Sequence, residues 1–312
     1  MFPQEAQRPD SRWLTMLMQR LSEAAPAKLN LHLHVLGQRQ DGYHDLDTSF
    51  ALIDWCDEVE VRLREDGAIC RLEDQVGIEA SEDLAVRAAL SMQAYCVAQG
   101  LACPGVDIRV RKRIPQGAGL GGGSSDAASV IRLLNRLWGL SLSAEALIPI
   151  ALKLGADVPL FIHRRHAIGR GVGERLQSLD LPTAHFLILM PPLAVPTSGI
   201  FSDPKLTRSS KALKLPDCLN WVDFMQGHND LQAVVIKRHR IVKVALDGLR
   251  SQARALNIAS HWPRMSGSGA AVFCMVRDRL EGLELEAMIQ AKLAEFGEGH
   301  WQLKLVSTRI PD

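Results

Sequence analysis

Between Arg113 and Trp138 the chain reads R-I-P-Q-G-A-G-L-G-G-G-S-S-D-A-A-S-V-I-R-L-L-N-R-L-W, with five glycines in seven positions: Gly117, Gly119, Gly121, Gly122 and Gly123. Glycines at this density let successive backbone N–H groups turn toward one point. Val130, Leu133, Leu134 and Leu137 follow at helical spacing, so a helix starts where the glycines end and adds its unpaired N–H groups and positive dipole end. Such a segment cradles phosphate, with Pro115, Leu120, Ser124 and Ser125 in the same stretch. A flexible linker does not account for it, since a linker does not abut an amphipathic helix.

Two familiar glycine motifs fail on inspection. Gly117, Gly119 and Gly122 satisfy G-x-G-x-x-G, but the strand before them, V-D-I-R-V-R-K-R, is half charged, and no acidic strand residue follows about 20 positions on. The phosphate loop of G-x-x-x-x-G-K-[ST] type fails because Gly123 stands where its lysine belongs.

What remains, P-x-G-x-G-L-G-G-G-S-S-D-A-A, resembles the ATP-binding loop of the GHMP kinase superfamily. Three further strings extend the resemblance over residues 24 to 310. P-A-K-L-N-L-x-L-x-V-x-G-x-R-x-D-G-Y-H resembles the N-terminal signature of one branch, whose acceptor carries a cytidine diphosphate. L-G-A-D-V-P resembles the segment of that branch that holds the catalytic aspartate, here Asp157. M-S-G-S-G-A-A-V resembles the third motif, which closes over the phosphate loop through Ser266, Gly267, Ser268 and Gly269.

The resemblance implies an α+β fold of two domains, the first like domain 2 of ribosomal protein S5 and the second ferredoxin-like, with the site in the cleft between them. It implies ATP with Mg²⁺ as donor, and as small-molecule acceptor the 2-hydroxyl of a cytidine-diphosphate-linked methylerythritol in the non-mevalonate route to isoprenoid precursors. In that scheme Asp157 takes the hydroxyl proton while Lys28 keeps Asp157 ionised and stabilises charge on the reacting oxygens. Tyr43 and Phe201 sandwich the cytosine, His44 bonds its edge, and Asn30 contacts the acceptor from the same strand face as Lys28. The metal ligands are not specified. Asp126, where related loops often carry a neutral residue, is either a Mg²⁺ contact or a charge that favours the helix N-terminus. The competing readings are a kinase of the same superfamily acting on homoserine or mevalonate, and a non-catalytic ligand-binding protein of that fold.

The residues alone place these groups on local elements. Ala27 to Val35 alternates apolar and polar, which predicts a half-buried strand with Lys28, Asn30, His32 and His34 on its polar face. Those two histidines are either a partial metal site or ordinary surface residues. Tyr43 and His44 close a turn built on Gly37, Asp41 and Gly42, before two strands, D-L-D-T-S-F-A-L-I and E-V-E-V-R-L. Ser81 is expected to cap a helix reaching Gln99. Ser143 starts one that ends at Gly155, and Pro159 bars its resumption, leaving Asp157 on a corner as either a turn former or a working group. A glycine-rich hairpin follows, then a domain boundary at 181–183, a buried strand H-F-L-I-L-M, and a polar loop or lid over 203–220. Asn229 begins a helix carrying Leu231, Val234, Val235, Ile241 and Val244, whose K-R-H-R run is either a solvated face or an anion contact. A helix from Glu284 to Glu295 and a strand Q-L-K-L-V-S-T complete the second domain.

At 312 residues two domains are expected, 22–180 and 181–312, after an N-terminal extension over 1–21 of weak structure, in which Met18 is an alternative start. Apolar residues make up 47% and charged ones 23%, with net charge +1, which excludes the strongly basic balance of a nucleic-acid binder. No apolar run is long enough to cross a bilayer, so no membrane partner is expected. The six cysteines include no C-x-x-C pair, so reduced thiols in a cytoplasmic monomer or homodimer fit the composition.

Overall fold

The computed structural model describes residues 20–72, 79–216, 218–259 and 262–309. The expected extension therefore lies outside the described residues up to position 19. Arg20 and Leu21 already belong to the first strand, one correction to that boundary.

The alternating stretch is the middle of β1 (Arg20–Gln38), which a turn closed by Gly42 N–H to Arg39 C=O joins to β2 (His44–Arg64). β2 is one bent strand of 21 residues where two were expected. It pairs with β1 along its length, with β4 (Gly105–Arg111) past the bend and with β5 (His166–Gly171) before it. β3 (Ile69–Arg71) and β6 (Arg175–Leu179) are the outer strands of this six-stranded sheet. Four helices cover one face: α1 (Leu84–Ala98), α2 (Gly122–Leu137), α3 (Ala144–Leu152) and α4 (Val158–His163).

The second sheet is antiparallel in the order β10 (Gln302–Ser307), β7 (His185–Met190), β9 (Val272–Val276), β8 (Arg264–Met265). Strand periodicity divides β7 between two cores. Phe186, Ile188 and Met190 meet Leu29, Leu31 and Ile53 of the first sheet, while Leu187 and Leu189 face helices. Between the strands lie α5 (Thr197–Phe201), α6 (Trp221–Phe224), α7 (Asp230–Arg238), α8 (Arg240–Ala255) and α9 (Arg279–Gln290). The layers thus run helices, sheet, sheet, helices, an α+β architecture with a shared core in the middle.

Several local readings need correction. Asp83, not Ser81, caps α1, because its carboxylate accepts from Ala85 N–H. Pro159 lies in the first turn of α4, where its missing N–H costs nothing, so it starts a helix rather than preventing one. The helix expected from Asn229 to Val244 breaks at His239, whose φ of −127° and ψ of 89° are not helical. The last helix starts at Arg279 because Asp278 caps it, earlier than Glu284. Cys96 and Cys103 are joined as a disulfide, their Cα atoms 6.4 Å apart, where six reduced thiols were expected; the chain doubles back at Gly100 just past α1 and brings them together.

The largest difference concerns β1. Lys28, Asn30, His32 and His34 are all buried, so the strand has no solvated face. Lys28 and Asn30 face a cavity, and the histidines lie under a strap from the second half of the chain. Ser210 N–H bonds Val35 C=O, His34 Nδ1 meets Lys211 C=O at 2.8 Å, and Leu213 N–H bonds Asp47 Oδ2. The register shifts between Asn30 and His32, and Arg264 Nη1 donates to the carbonyl of the intervening Leu31 at 2.8 Å.

Candidate active site

A cavity of about 560 Å³ lies where the two sheets meet. Its wall includes Pro115, Gly117, Gly119, Leu120, Gly121, Gly122, Gly123 and Ser124 on one side, and Lys28, Asn30 and Asp157 near its floor. Gly267, Ser268, Thr197 and Phe201 come from the second half of the chain.

Gly119 and Gly121 show why the loop needs glycine. Both have positive φ, +74° and +72°. A Cβ on Gly119 would sit 2.2 Å from Ser266 C=O, and one on Gly121 2.9 Å from the Phe161 ring. The loop is held from outside: Leu120 C=O accepts from Lys28 N–H, Ala118 C=O from Ala271 N–H and Gly117 C=O from Val195 N–H. With its carbonyls turned to these partners, the loop is left with N–H groups for a ligand.

The third motif reaches the loop through Ser266, whose Oγ donates to Gly119 C=O at 3.1 Å and accepts from Asn30 N–H at 3.2 Å. Ser266 is fully buried and acts as a bridge, and Gly269 is likewise absent from the cavity wall. Ser125, expected among the phosphate contacts, is also fully buried, since it lies on the inner face of α2. Ser124 keeps its place in the wall.

On the floor Lys28 Nζ lies 3.5 Å from Asp157 Oδ2 and donates to Asn30 Oδ1, while Asn30 Nδ2 donates to Thr48 Oγ1 at 2.9 Å. Asp157 occupies the N-cap position of α4 yet makes no side-chain cap bond, so its carboxylate stays available to the cavity. The expectation was of an aspartate isolated among apolar neighbours and in need of a lysine. The burial is the other way round: the Lys28 side chain is 4% exposed and that of Asp157 35%. The buried ammonium is the group that needs its partner.

Lys112, from the charged strand that enters the loop, is half-buried beside the loop, its side chain 19% exposed. Its Nζ bonds Asp126 Oδ2 at 2.6 Å and also Asp57. Asp57 Oδ1 accepts from the N–H groups of Arg113 and Ile114, so the cluster ties the strand entering the loop to the helix leaving it. Burial raises the Asp126 carboxyl to about 7, with Asp57 adding to the rise and Lys112 opposing it. Only Oδ2 is held in this way; Asp126 lines the cavity and its Oδ1 has no hydrogen-bond partner. Among the described residues no group of three or more His, Cys, Asp or Glu could hold a metal ion. His32 instead meets Ser49 Oγ through Nδ1 and Asp47 through Nε2.

The remaining expected contacts sit farther out. Tyr43 is exposed, and neither it nor His44 lines the cavity. The His44 ring lies 5.3 Å from the Phe201 ring, tilted by 36°. Arg208 Nε donates to His44 Nε2 at 3.0 Å, a partner no sequence signal marked because 164 positions separate the two. Burial lowers the His44 pKa, and the Arg208 guanidinium lowers it further.

Residues 83–165 match the model of the GHMP kinases N terminal domain. A 4-diphosphocytidyl-2-C-methyl-D-erythritol kinase of Aromatoleum aromaticum is 47% identical over 81% of this chain and 83% of its own length. One of Burkholderia thailandensis is 43% identical over 86% of this chain and 89% of its own. Among solved structures, a 4-(cytidine 5'-diphospho)-2C-methyl-D-erythritol kinase superposes with a TM-score of 0.70 at 33% identity, covering 92% of this chain and 99% of that one. A homoserine kinase from Cytophaga hutchinsonii superposes at 0.64 with 15% identity, over 94% and 96% of the two chains, a likeness of fold alone.

Proposed function

The chain belongs to the 4-diphosphocytidyl-2-C-methyl-D-erythritol kinases of the GHMP superfamily, and on that footing we propose how its cavity phosphorylates the acceptor's 2-hydroxyl with ATP. The observation that supports the reading most is the Lys28–Asp157 pair at 3.5 Å, in the same cavity as a loop whose glycines leave N–H groups inward.

Phosphoryl transfer asks a protein for positioning and for charge stabilisation. In this reading the N–H groups from Gly117 to Ser124 and the start of α2 hold the ATP phosphates. The hydroxyl of the acceptor lies against Asp157, which accepts its proton as the new O–P bond forms. Lys28, fixed by Asn30, stabilises the negative charge on the oxygens in transfer. Ser266, and through it Asn30, keep the third motif against the loop, so the two halves of the chain present one surface to the nucleotide.

Mg²⁺, when bound with ATP, supplies charge neutralisation. Its ligands would be mainly the phosphates, with Ser124 Oγ and Asp126 Oδ1, which has no hydrogen-bond partner, as protein oxygens in the wall. Tyr43 and Phe201 are assigned to the faces of the cytosine and His44 to its edge. The domain division at 181–183 and a cytoplasmic location complete the reading, in which the product serves the non-mevalonate route to isoprenoid precursors.

The test is ADP release from ATP and Mg²⁺ with diphosphocytidyl-methylerythritol, homoserine, mevalonate and galactose offered in parallel. Turnover with the cytidylyl acceptor alone, lost in Asp157→Asn, is the expected outcome. Turnover with another acceptor overturns the assignment of Tyr43 and His44.

A further inference from the structure

We propose that Arg208 is a positioning residue that fixes the tautomer of His44 and through it selects cytosine over uracil in the acceptor. The inference rests on the reading of Tyr43, His44 and Phe201 as the base site.

A guanidinium has five N–H donors, no acceptor, and stays protonated. Arg208 Nε donates to His44 Nε2 at 3.0 Å, so Nε2 must present its lone pair and the neutral ring carries its hydrogen on Nδ1. The guanidinium cannot rotate away cheaply, because its other nitrogens are held. Nη1 donates to Leu206 C=O at 3.1 Å, and Nη2 to the carbonyls of Phe201 and Asp203 at 2.9 Å each. The residue that orients His44 therefore also grips the backbone of Phe201, whose ring lies tilted beside the imidazole. Burial and the adjacent guanidinium both disfavour the imidazolium, which keeps the ring neutral. Among the described residues Nδ1 has no hydrogen-bond partner, so its N–H is left for a ligand.

A fixed donor reads the Watson–Crick edge of a pyrimidine in one sense only. Cytosine has a lone pair at N3 and accepts from Nδ1–H. Uracil carries a hydrogen at N3, so donor would face donor, and two polar groups would be desolvated without partners. Were Nε2 protonated instead, the ring would offer uracil an acceptor and the preference would reverse. Nothing in the histidine itself decides between these states; Arg208 does.

The experiment compares the full chain with Arg208→Met and Arg208→Lys, using ATP with the cytidine-diphosphate-linked acceptor and with its uridine counterpart. Ring ¹⁵N spectra of His44 in the wild-type protein report the tautomer independently of any variant. Expected are a wild-type Nδ1–H tautomer, a cytidine preference in kcat/KM of about 10²-fold or more, and a fall in that preference of about tenfold in Arg208→Met. The lysine variant, which keeps one donor, should retain more of it. A merely structural role would slow both acceptors equally and leave their ratio unchanged, which overturns the proposal while leaving the base site standing. An Nε2–H tautomer in the wild type also overturns it. Wild-type turnover indifferent to the base overturns the base-site reading, and this proposal with it.

Discussion

In the proposed site the nucleotide side works through backbone N–H groups, held by glycines inside a seven-residue stretch. The proposed acceptor side works through side chains oriented by partners far along the chain, as His44 is by Arg208 at 164 positions. A site made from local backbone is written in one place in the sequence. A site made from distant side chains is specified only once the fold exists. On the proposed reading, the nucleotide side carries the chemistry common to a superfamily, and the acceptor side carries what distinguishes one member.

The sharpest way to separate the two sides is to remove the group between them. Asp157→Asn should lower kcat by roughly 10²–10⁴-fold with little change in KM for ATP. Steady-state kinetics check this, and a matching rise in KM for ATP would show that the aspartate belongs to the nucleotide side instead. Within the glycine loop the effect should depend on position. Gly119→Ala places a methyl 2.2 Å from Ser266 C=O at a φ of +74°, and should raise KM for ATP by about tenfold or cost roughly 1–3 kcal/mol of stability. Gly123→Ala meets only Leu84 at 3.5 Å in a helical turn, and should leave KM unchanged while stabilising by about 0.4–1 kcal/mol. Equal effects would mean that glycine density, not conformation, is what the loop requires.

Acid should move the two sides in opposite directions. Burial lowers the pKa of His32, His34 and His44, so the fold favours their neutral forms and their protonation in acid opposes it. His34 in particular accepts from His228 N–H through Nε2, a bond its protonation removes. Asp126, with its carboxyl raised to about 7, loses a negative charge in the phosphate wall over the same range. Initial rates from about pH 7.5 to about 5.5 should show KM for the acceptor rising while KM for ATP holds or falls. Parallel trends would undo the distinction. Last, Ser266→Ala removes one hydroxyl that serves both sides, and should cost roughly 1 kcal/mol in thermal or urea unfolding.

The same contrast explains how far the sequence could be read. The glycine loop, α2, the Ser143 cap and the β5–β6 hairpin depend on neighbours a few positions away, and each was legible. So was the face of β1 that carries Lys28 and Asn30. That this face is buried was not, because the strap at 210–213 that covers it is an irregular segment with no periodicity to read. The role of Lys112 has no local signal, since its two carboxylates are 55 and 14 positions away. Pro159 and His239 show a different shortfall: a proline can start a helix as well as end one, and a helix can break without glycine or proline.

The core shared by the two sheets bears on how the enzyme takes up its substrates. Phe186, Ile188 and Phe273 pack with Leu29 and Leu31, Leu33 N–H bonds His228 C=O, and Arg264 grips Leu31 C=O from across the junction. Opening halves joined this way would expose apolar core rather than a wet interface, which disfavours a hinge motion between them. The cleft should therefore be a standing recess, entered without parting the two sheets. Small-angle scattering should give one radius of gyration with and without nucleotide, while amide exchange slows in the loop from Gly117 to Ser124.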